Sequence, residues 1–448
     1  MKHFDLFVLG TGVAGTAIAK TGADAGLTTA ISDIREYGGT CAQRGCVPKK
    51  VLWGAAHIVR AAGLMKGKGI DGAPSGSWKD LIAFKNTFTE SVPAQKEKTF
   101  TEKGITTFHG KAQFIAANQL KIGDETIEAD KIVIATGAHP RKLEIPGAEF
   151  TIDSEDFLEL DALPESMSFI GGGYVAMELA HIAASFGVKI TVLQQGEQIL
   201  ENFDTDIVNH LRQTSEAREI KIMTSTQVTR ISKTKTGYSV SGQHKGKEVN
   251  YETELVVNAT GRVPYVDNLN LDQGGITFSK RGISVNEYLQ SVSNKYVYAA
   301  GDVSDSGGLP LTPFASKEAE IVIANILKGN HREHNYREKP SVVFTLPPLS
   351  AVGLTEKQAK EKGLDFRVNF KDASEWFNAK SINEPQFAFK VIIDNKTEKI
   401  LGAHLIGPHA EETINLFAMA IYAELTVDDI KKIIIVYPSE GDNIPDMV

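Results

Sequence analysis

Read for its apolar and polar positions, the chain runs twice through one cycle. Residues 4–9, Phe-Asp-Leu-Phe-Val-Leu, form a short and mostly apolar run that predicts a strand. Gly10-Thr11-Gly12-Val13-Ala14-Gly15 follows, then a helical run to Ala25, then a second strand over 28–32 that ends in Asp33. The cycle returns at 168–170, leading into Gly171-Gly172-Gly173-Tyr174-Val175-Ala176, a helix through Phe186 and a strand over 189–193. Each cycle closes on an apolar strand and an Ala-Thr-Gly turn, at 131–137 and at 254–261. Glycine after a strand and before a helix permits a tight turn and lets a pyrophosphate rest on the helix N-terminus. Duplication in the same order predicts two dinucleotide-binding domains. The function must use two dinucleotides.

The remaining elements are less repetitive. A helix is expected from residue 51, a Gly-rich surface loop at 67–76, and one amphipathic helix over about 78–103. Pro140, Pro146 and Gly147 mark a crossover linker. A strand over 296–300 ends in Gly301-Asp302, and Leu311-Thr312-Pro313 precedes a long helix over 314–327. Taken alone, Asp302 reads as a turn or cap acid. After residue 336 the texture changes to strands at 387–394 and 399–406 and helices at 411–423 and 427–433, a separate α+β domain.

Composition narrows the classes. With 448 residues, 42% of them hydrophobic, and a net charge of −8, nucleic acid is excluded as a main partner. No apolar run approaches the ~18 residues of a membrane span. The chain opens directly into a strand with no room for a signal peptide, so a cytoplasmic location is expected.

The chain holds only two cysteines, Cys41 and Cys46. A pair supplies half of a structural zinc site, and no His-rich or Cys-rich knuckle lies nearby, so no metal is expected. On a straight helix, residues five apart rise about 7.5 Å and rotate about 140°. That exceeds the ~7 Å reach of a disulfide between Cα atoms. The two thiols can meet only if Gly45 and Pro48 bend or delay the helix. Such a pair predicts exchange chemistry. In the first fingerprint, Gly10, Gly12 and Gly15 cradle phosphate, and Asp33 stands where an acid binds a ribose hydroxyl pair. In the second, built on Gly171 and Gly173, the same spacing lands on Gln194, with nothing cationic close in sequence; the ligand is NADH or NADPH, with a lean to NADH.

These pieces together resemble the class I flavoprotein disulfide reductases: glutathione reductase, dihydrolipoamide dehydrogenase and mercuric reductase. The likeness runs through Gly39-Thr40-Cys41 to Cys46-Val47-Pro48-Lys49, Gly261-Arg262-Val263-Pro264, Ala299-Ala300-Gly301-Asp302 and Leu311-Thr312-Pro313. It implies an α/β fold: two Rossmann-like dinucleotide-binding domains, for FAD and NAD(P), plus a C-terminal α+β dimerisation domain. The expected boundaries are 1–147 and 263–336 for the FAD domain, 148–262 for the NAD(P) domain and 337–448 for dimerisation. By position, Cys46 would face the flavin and Cys41 would be the outward interchange thiol. Asp33 would bind the FAD adenosine ribose, Asp302 would bind the ribityl chain, and the helix after Thr312 would point its positive end at the flavin. Gly39, Thr40, Thr136, Gly137, Gly261 and Arg262 would line the cofactors. Lys49 and Glu178 would pair beside the flavin, and Tyr174 would gate the nicotinamide. The implied partners are a second copy of the chain in a homodimer and a small-molecule electron acceptor, with no membrane and no nucleic acid.

The resemblance breaks at the end of the chain. Where the family's His-Pro…Glu signature belongs, this sequence has Tyr437-Pro438 and Asp442. Tyrosine is a poor base at neutral pH, although it can hydrogen-bond or donate a proton. This argues against glutathione and lipoamide as acceptors. Mercuric reductases share the tyrosine but add a C-terminal cysteine pair, absent here. A disulfide, quinone, metal ion or oxidant remains open as acceptor, as does a redox sensor that uses the dithiol as a switch.

Overall fold

The computed structural model describes residues 1–72 and 75–448, so part of the Gly-rich loop expected at 67–76 lies outside the described residues. The chain forms two compact units: Met1–Lys49 with Ala83–Arg141 and Arg262–Tyr336, and Lys50–Ile82 with Lys142–Gly261 and Arg337–Val448. The stretch Lys50–Ile82, expected with the first domain, clusters with the second unit. The reason is packing: Leu52, Trp53, Trp78 and Ile82 are buried in one core with Phe157, Met177 and Leu346.

The first unit is built on a parallel sheet in which Thr106–His109, Thr29–Asp33, Lys2–Leu9, Glu125–Ile134 and Val297–Ala299 are neighbours in that order. Two antiparallel strands, Gln119–Ile122 and Ala112–Ala116, extend it. The central strands are buried on both faces, which is why they read as continuous apolar runs. Register decides where the chemistry sits. Leu9 and Ala299 both pair with Ile134, so the loops at Gly10, Thr136–Gly137 and Gly301–Asp302 leave one sheet edge side by side, at the carboxyl ends of the strands.

The second unit repeats the plan. Lys221–Met223, Lys189–Leu193, Ser166–Ile170, Leu255–Asn258 and Thr151–Ile152 form a parallel sheet. The duplication extends to single hydrogen bonds. Gly10 N–H donates to Ser32 O at 2.7 Å and Gly171 N–H to Leu193 O at 2.8 Å. Ala135 N–H donates to Leu9 O at 2.8 Å and Ala259 N–H to Ile170 O at 2.9 Å. A three-stranded antiparallel sheet, Thr226–Lys233, Tyr238–His244 and Lys247–Thr253, is inserted between the parallel strands Lys221–Met223 and Leu255–Asn258.

The C-terminal part is an antiparallel sheet in the order Ser341–Val343, Leu349–Gly353, Ile400–Ile406, Ala388–Asp394, Phe366–Asp372. The helix Ala410–Tyr422 packs Ile414 and Phe417 onto it. The outward side of that helix exposes Leu416, Met419 and Tyr422, and the tail exposes Ile434 and Val436 (99% and 78%). An apolar face of this kind marks an interaction surface.

One expected element is corrected. The single helix over 78–103 is two helices, Trp78–Thr89 and Val92–Glu102. Pro93 lies in the first turn of the second, where its missing N–H costs nothing; in the interior of one continuous helix it would remove a bond and clash.

Candidate active site

The first fingerprint loop is closed by backbone contacts that only glycine allows. Gly10 has φ +103°, and a Cβ there would lie 2.3 Å from Ala135 O. At Gly15 it would lie 1.9 Å from Gly10 O. Gly39, at φ +71°, comes so close to Gly12 that a Cβ would sit 2.4 Å from its Cα. The segment carrying the cysteines is therefore laid directly against the phosphate cradle, at the N-terminus of the helix Val13–Asp24. Asp33 Oδ2 accepts from Thr11 N–H at 2.8 Å and Thr11 Oγ1–H at 2.6 Å, and Gly38 N–H donates to the same threonine hydroxyl. Thr136 Oγ1–H donates to Tyr265 O at 2.7 Å, and the Arg262 guanidinium reaches Ala138 O at 2.6 Å. Burial pushes the Asp302 carboxyl up, against the lowering charge of Arg262.

The cysteines stand on separate helices. Gly39–Gln43 ends after one turn, Arg44 and Gly45 interrupt, and Cys46 opens Cys46–Leu64. This is the delay the spacing demanded. Thr312, first residue of the helix Thr312–Lys328, serves both thiols: its Oγ1–H donates to Cys41 Sγ at 3.3 Å, and Cys46 Sγ is 3.5 Å from the same oxygen. The hydrogen bond from Cys41, then Thr312 and the charge of Lys49, lower the Cys46 thiol to about 6. The bond to Cys46 and burial push Cys41 up. The shifts run in opposite directions, so Cys46 is the sulfur that ionises first. Thr312→Val removes the hydroxyl shared by the two sulfurs, and the Cys46 midpoint is expected to rise by about one unit. The pH dependence of thiolate ultraviolet absorbance in the reduced, flavin-free protein checks this; an unmoved midpoint would show the hydroxyl to be idle.

In the second fingerprint, Gln194 does what Asp33 does in the first: its Oε1 accepts from the N–H of the loop's middle residue, Gly172, at 2.8 Å. Its Nε2–H donates to Glu201 Oε1 at 2.9 Å. Gly196 leaves room for that carboxylate, since a Cβ there would lie 1.7 Å from Glu201 Oε1. Glu201 was missed by the sequence reading because a fixed spacing points only at Gln194. The helix Tyr174–Ser185 begins at Gly173 with the half-open Tyr174, and Glu178, one turn on and buried, accepts from Phe344 N–H at 2.8 Å. Gly261 has φ +118°.

At the other end of the chain, Tyr437 is 76% exposed and its hydroxyl has no hydrogen-bond partner among the described residues. Asp442 does not support it. Its carboxylate accepts from Ser439 N–H at 3.3 Å in a capping box around the turn Glu440–Asn443. Glu440 in the same turn is half-buried, and that burial pushes its carboxyl up. Among the described residues no group of three or more His, Cys, Asp or Glu is arranged to hold a metal ion, and no helix is long and apolar enough to cross a membrane.

Residues 4–319 match the family described as Pyridine nucleotide-disulphide oxidoreductase, and residues 339–448 match its dimerisation domain. The chain belongs to this family. Among its relatives, a glutathione reductase of Nostoc sp. is 32% identical, with 99% of both chains covered. A dihydrolipoyl dehydrogenase of Halobacterium salinarum is 30% identical over 97% of this chain and 93% of its own. The solved structure of the HOCl-induced flavoprotein disulfide reductase RclA from Escherichia coli superposes with TM-score 0.88 at 28% identity, covering 99% of each chain. Its Cu(II) complex gives TM-score 0.88 at 29% identity, covering 100% and 99%. This pyridine nucleotide-disulphide oxidoreductase is accordingly an enzyme dependent on FAD and NAD(P)H, with a domain for homodimerisation that matches the exposed apolar face. The residues fit FAD: a cradle that Cβ atoms would fill, a helix N-terminus for the pyrophosphate, and carboxylates at Asp33 and Asp302 on one sheet edge.

Proposed function

We propose that the chain passes two electrons from NADH, by way of FAD, through Cys41 and Cys46 to a small oxidising acceptor, with Cu(II) as the leading substrate. The observation that carries this is the thiol pair held by Thr312. FAD, when bound, supplies the step from hydride to electron pair. Gly10, Gly12, Gly15 and Asp33 hold its adenosine and pyrophosphate; Gly39, Thr40, Thr136, Gly137 and Asp302 hold the rest. Arg262 partly offsets the burial that pushes the Asp302 carboxyl up, and Lys49 supplies positive charge beside Cys46. Gly171, Gly173, Gly261, Gln194 and Glu201 bind the nicotinamide dinucleotide, Tyr174 covers the nicotinamide, and Glu178 completes that side.

The chemistry of the pair balances. The Cys41–Cys46 disulfide takes up two electrons and one proton and becomes a Cys46 thiolate and a Cys41 thiol. Two Cu(II) ions take the electrons back, leaving two Cu(I), the disulfide and one released proton. No leaving thiolate has to be protonated in that step. A disulfide acceptor would require a group that takes up and returns protons at the thiols, and the histidine that the family uses for this is replaced by Tyr437, a poor base at neutral pH. The known Cu(II) complex of the RclA structure agrees with this reading.

The test is anaerobic. The enzyme is reduced with one equivalent of NADH and mixed with chelated Cu(II), glutathione disulfide, lipoamide or a quinone. Cu(II) is expected to reoxidise the thiols at least about 100-fold faster than glutathione disulfide, the scale of about 2.7 kcal/mol in barrier; equal rates would overturn the assignment. NADH is preferred because a 2′-phosphate would meet the Glu201 carboxylate. Glu201→Lys is expected to narrow the NAD⁺ over NADP⁺ preference in dissociation constant by about tenfold or more, and an unchanged ratio would remove Glu201 from the site.

A further inference from the structure

Residues 302–311 form neither helix nor strand, yet they carry at their two ends Asp302 and the helix start at Thr312. A segment of this kind keeps its shape only through whatever satisfies its polar groups. Here backbone bonds with Ile283 hold the early part, Ile283 N–H donating to Val303 O at 2.8 Å and Asp305 N–H to Ile283 O at 2.9 Å, and one side chain ties the start and the middle to the helix. Glu318, a turn and a half into the helix Thr312–Lys328, is 2% exposed. Its Oε2 accepts from Gly301 N–H at 2.6 Å. Its Oε1 accepts from Tyr336 Oη–H at 2.6 Å and from Ser306 Oγ–H. Ser306 Oγ in turn accepts from Gly308 N–H at 3.2 Å, and a Cβ at Gly308 would lie 3.2 Å from Glu318 Oε1. The start, the middle and the helix at the end of the segment are thus gathered on a single carboxylate.

The charge type matters. A carboxylate offers two accepting oxygens, whereas an amide offers one and replaces the other with a donor. Glutamine at 318 would set an NH₂ against either Gly301 N–H or the hydroxyls of Ser306 and Tyr336, leaving a buried donor unpaired. A buried acid is costly, and burial together with the neighbouring Asp302 pushes its carboxyl up, while the three hydrogen bonds oppose this. A residue retained at that cost holds something specific.

We propose that Glu318 is a positioning residue that acts on both redox centres at once: through Gly301 it sets Asp302, and through Ser306 and its own helix it sets Thr312. The ribityl anchor and the hydroxyl shared by the two thiols are then a single mechanical unit. The Asp302 half rests on the FAD reading above; the Thr312 half rests on the hydrogen bonds alone.

The experiment uses the full-length protein as Glu318→Gln, with Tyr336→Phe as comparator, because the latter removes one donor and keeps the bonds to Gly301 and Ser306. Two readings are taken: the FAD dissociation constant of flavin-free protein, and the pH midpoint of the Cys46 thiolate in the reduced, flavin-free protein. Thermal unfolding of the same samples reports stability. Glu318→Gln is expected to weaken FAD binding about tenfold, equivalent to about 1.4 kcal/mol, and to raise the thiolate midpoint from about 6 by about half a unit or more. Tyr336→Phe is expected to leave both within about twofold. A merely structural residue would lower the unfolding temperature and move neither reading, and that result overturns the proposal. Movement of only one reading overturns the coupling. If wild-type protein binds no FAD, the FAD reading fails while the thiol reading still decides the Thr312 half. Should Glu318→Gln fail to fold, Ser306→Ala, which cuts the bonds of Ser306 to Glu318 and Gly308 and keeps those of Glu318 to Gly301 and Tyr336, is expected to shift both readings in the same directions by smaller amounts.

Discussion

Cys46→Ser is expected to reduce turnover with any acceptor by at least about 10³-fold, the scale on which loss of a covalent redox group is felt. Serine forms no disulfide, so the electron pair has nowhere to rest between FAD and acceptor. NAD⁺ and FAD binding are expected to stay within about twofold, because Cys46 opens its helix with an exposed side chain that no fold contact depends on. Cys41→Ser should abolish turnover equally but with a different signature. It replaces the thiol that bonds to the Cys46 sulfur, so the Cys46 midpoint moves up from about 6. The reduced protein's stability carries the same sign. Cys46 is depressed in the folded state, so stability contributed by its thiolate is fully present above the ordinary thiol pKa and is lost as pH falls through about 6. Acceptor turnover of Cys46→Ser, measured beside its thiol content, is the check. Retention of more than about a tenth of turnover would mean that electrons leave the flavin without using the thiols.

The largest effect on stability is expected away from this chemistry, at Glu384→Gln. Arg60, on the helix that Cys46 opens, forms a forked ion pair with Glu384 in which the side chains are 10% and 3% exposed. Glu384 Oε1 also accepts from Gln386 N–H at 3.2 Å. A second guanidinium, Arg218, is buried nearby, donates to Ser185 Oγ and Leu346 O, and is lowered to about 10 by burial first and Arg60 second. His181, wholly buried between these cations, is held neutral by burial, and its Nδ1 accepts from Leu346 N–H at 3.2 Å. Glu384 is the carboxylate that offsets these charges. Its loss leaves Arg60 buried and unpaired, and about 3–5 kcal/mol is expected to be lost. Arg60→Met with Glu384→Met, which removes both charges, is expected to recover most of that. Urea unfolding monitored by the tryptophans of the second unit checks the pair of variants; a single variant that costs under about 1 kcal/mol would show that water already screens the site.

The parts of the molecule legible in the sequence are those enforced by local geometry. A strand followed by Gly10 and Gly15, or by Gly171, admits few other readings, because the turns need positive φ or an approach no Cβ permits. The same holds for the cysteines. A separation of five residues forbids a bridge on a straight helix, and the structure interrupts the helix at Arg44–Gly45. The apolar runs at 4–9 and 168–170 became strands for an equally local reason. Between them, these signals determined the two dinucleotide folds, their order and the redox-active segment.

What the sequence could not determine concerns partners far along the chain. Thr312 meets Cys46 across 266 residues, and Gly301 meets Glu318 because two strands end beside one helix. Asp442 faces its own capping turn and not Tyr437, and Gln194 acquires Glu201 because Gly196 leaves the space. The stretch Lys50–Ile82 joins the second unit through Trp53 and Trp78, whose burial no periodicity could assign to one core over another. A glycine's torsion is set by its immediate neighbours. A carboxylate's choice of donor is set by the register of strands that lie far apart in sequence, and only the assembled sheets decide it.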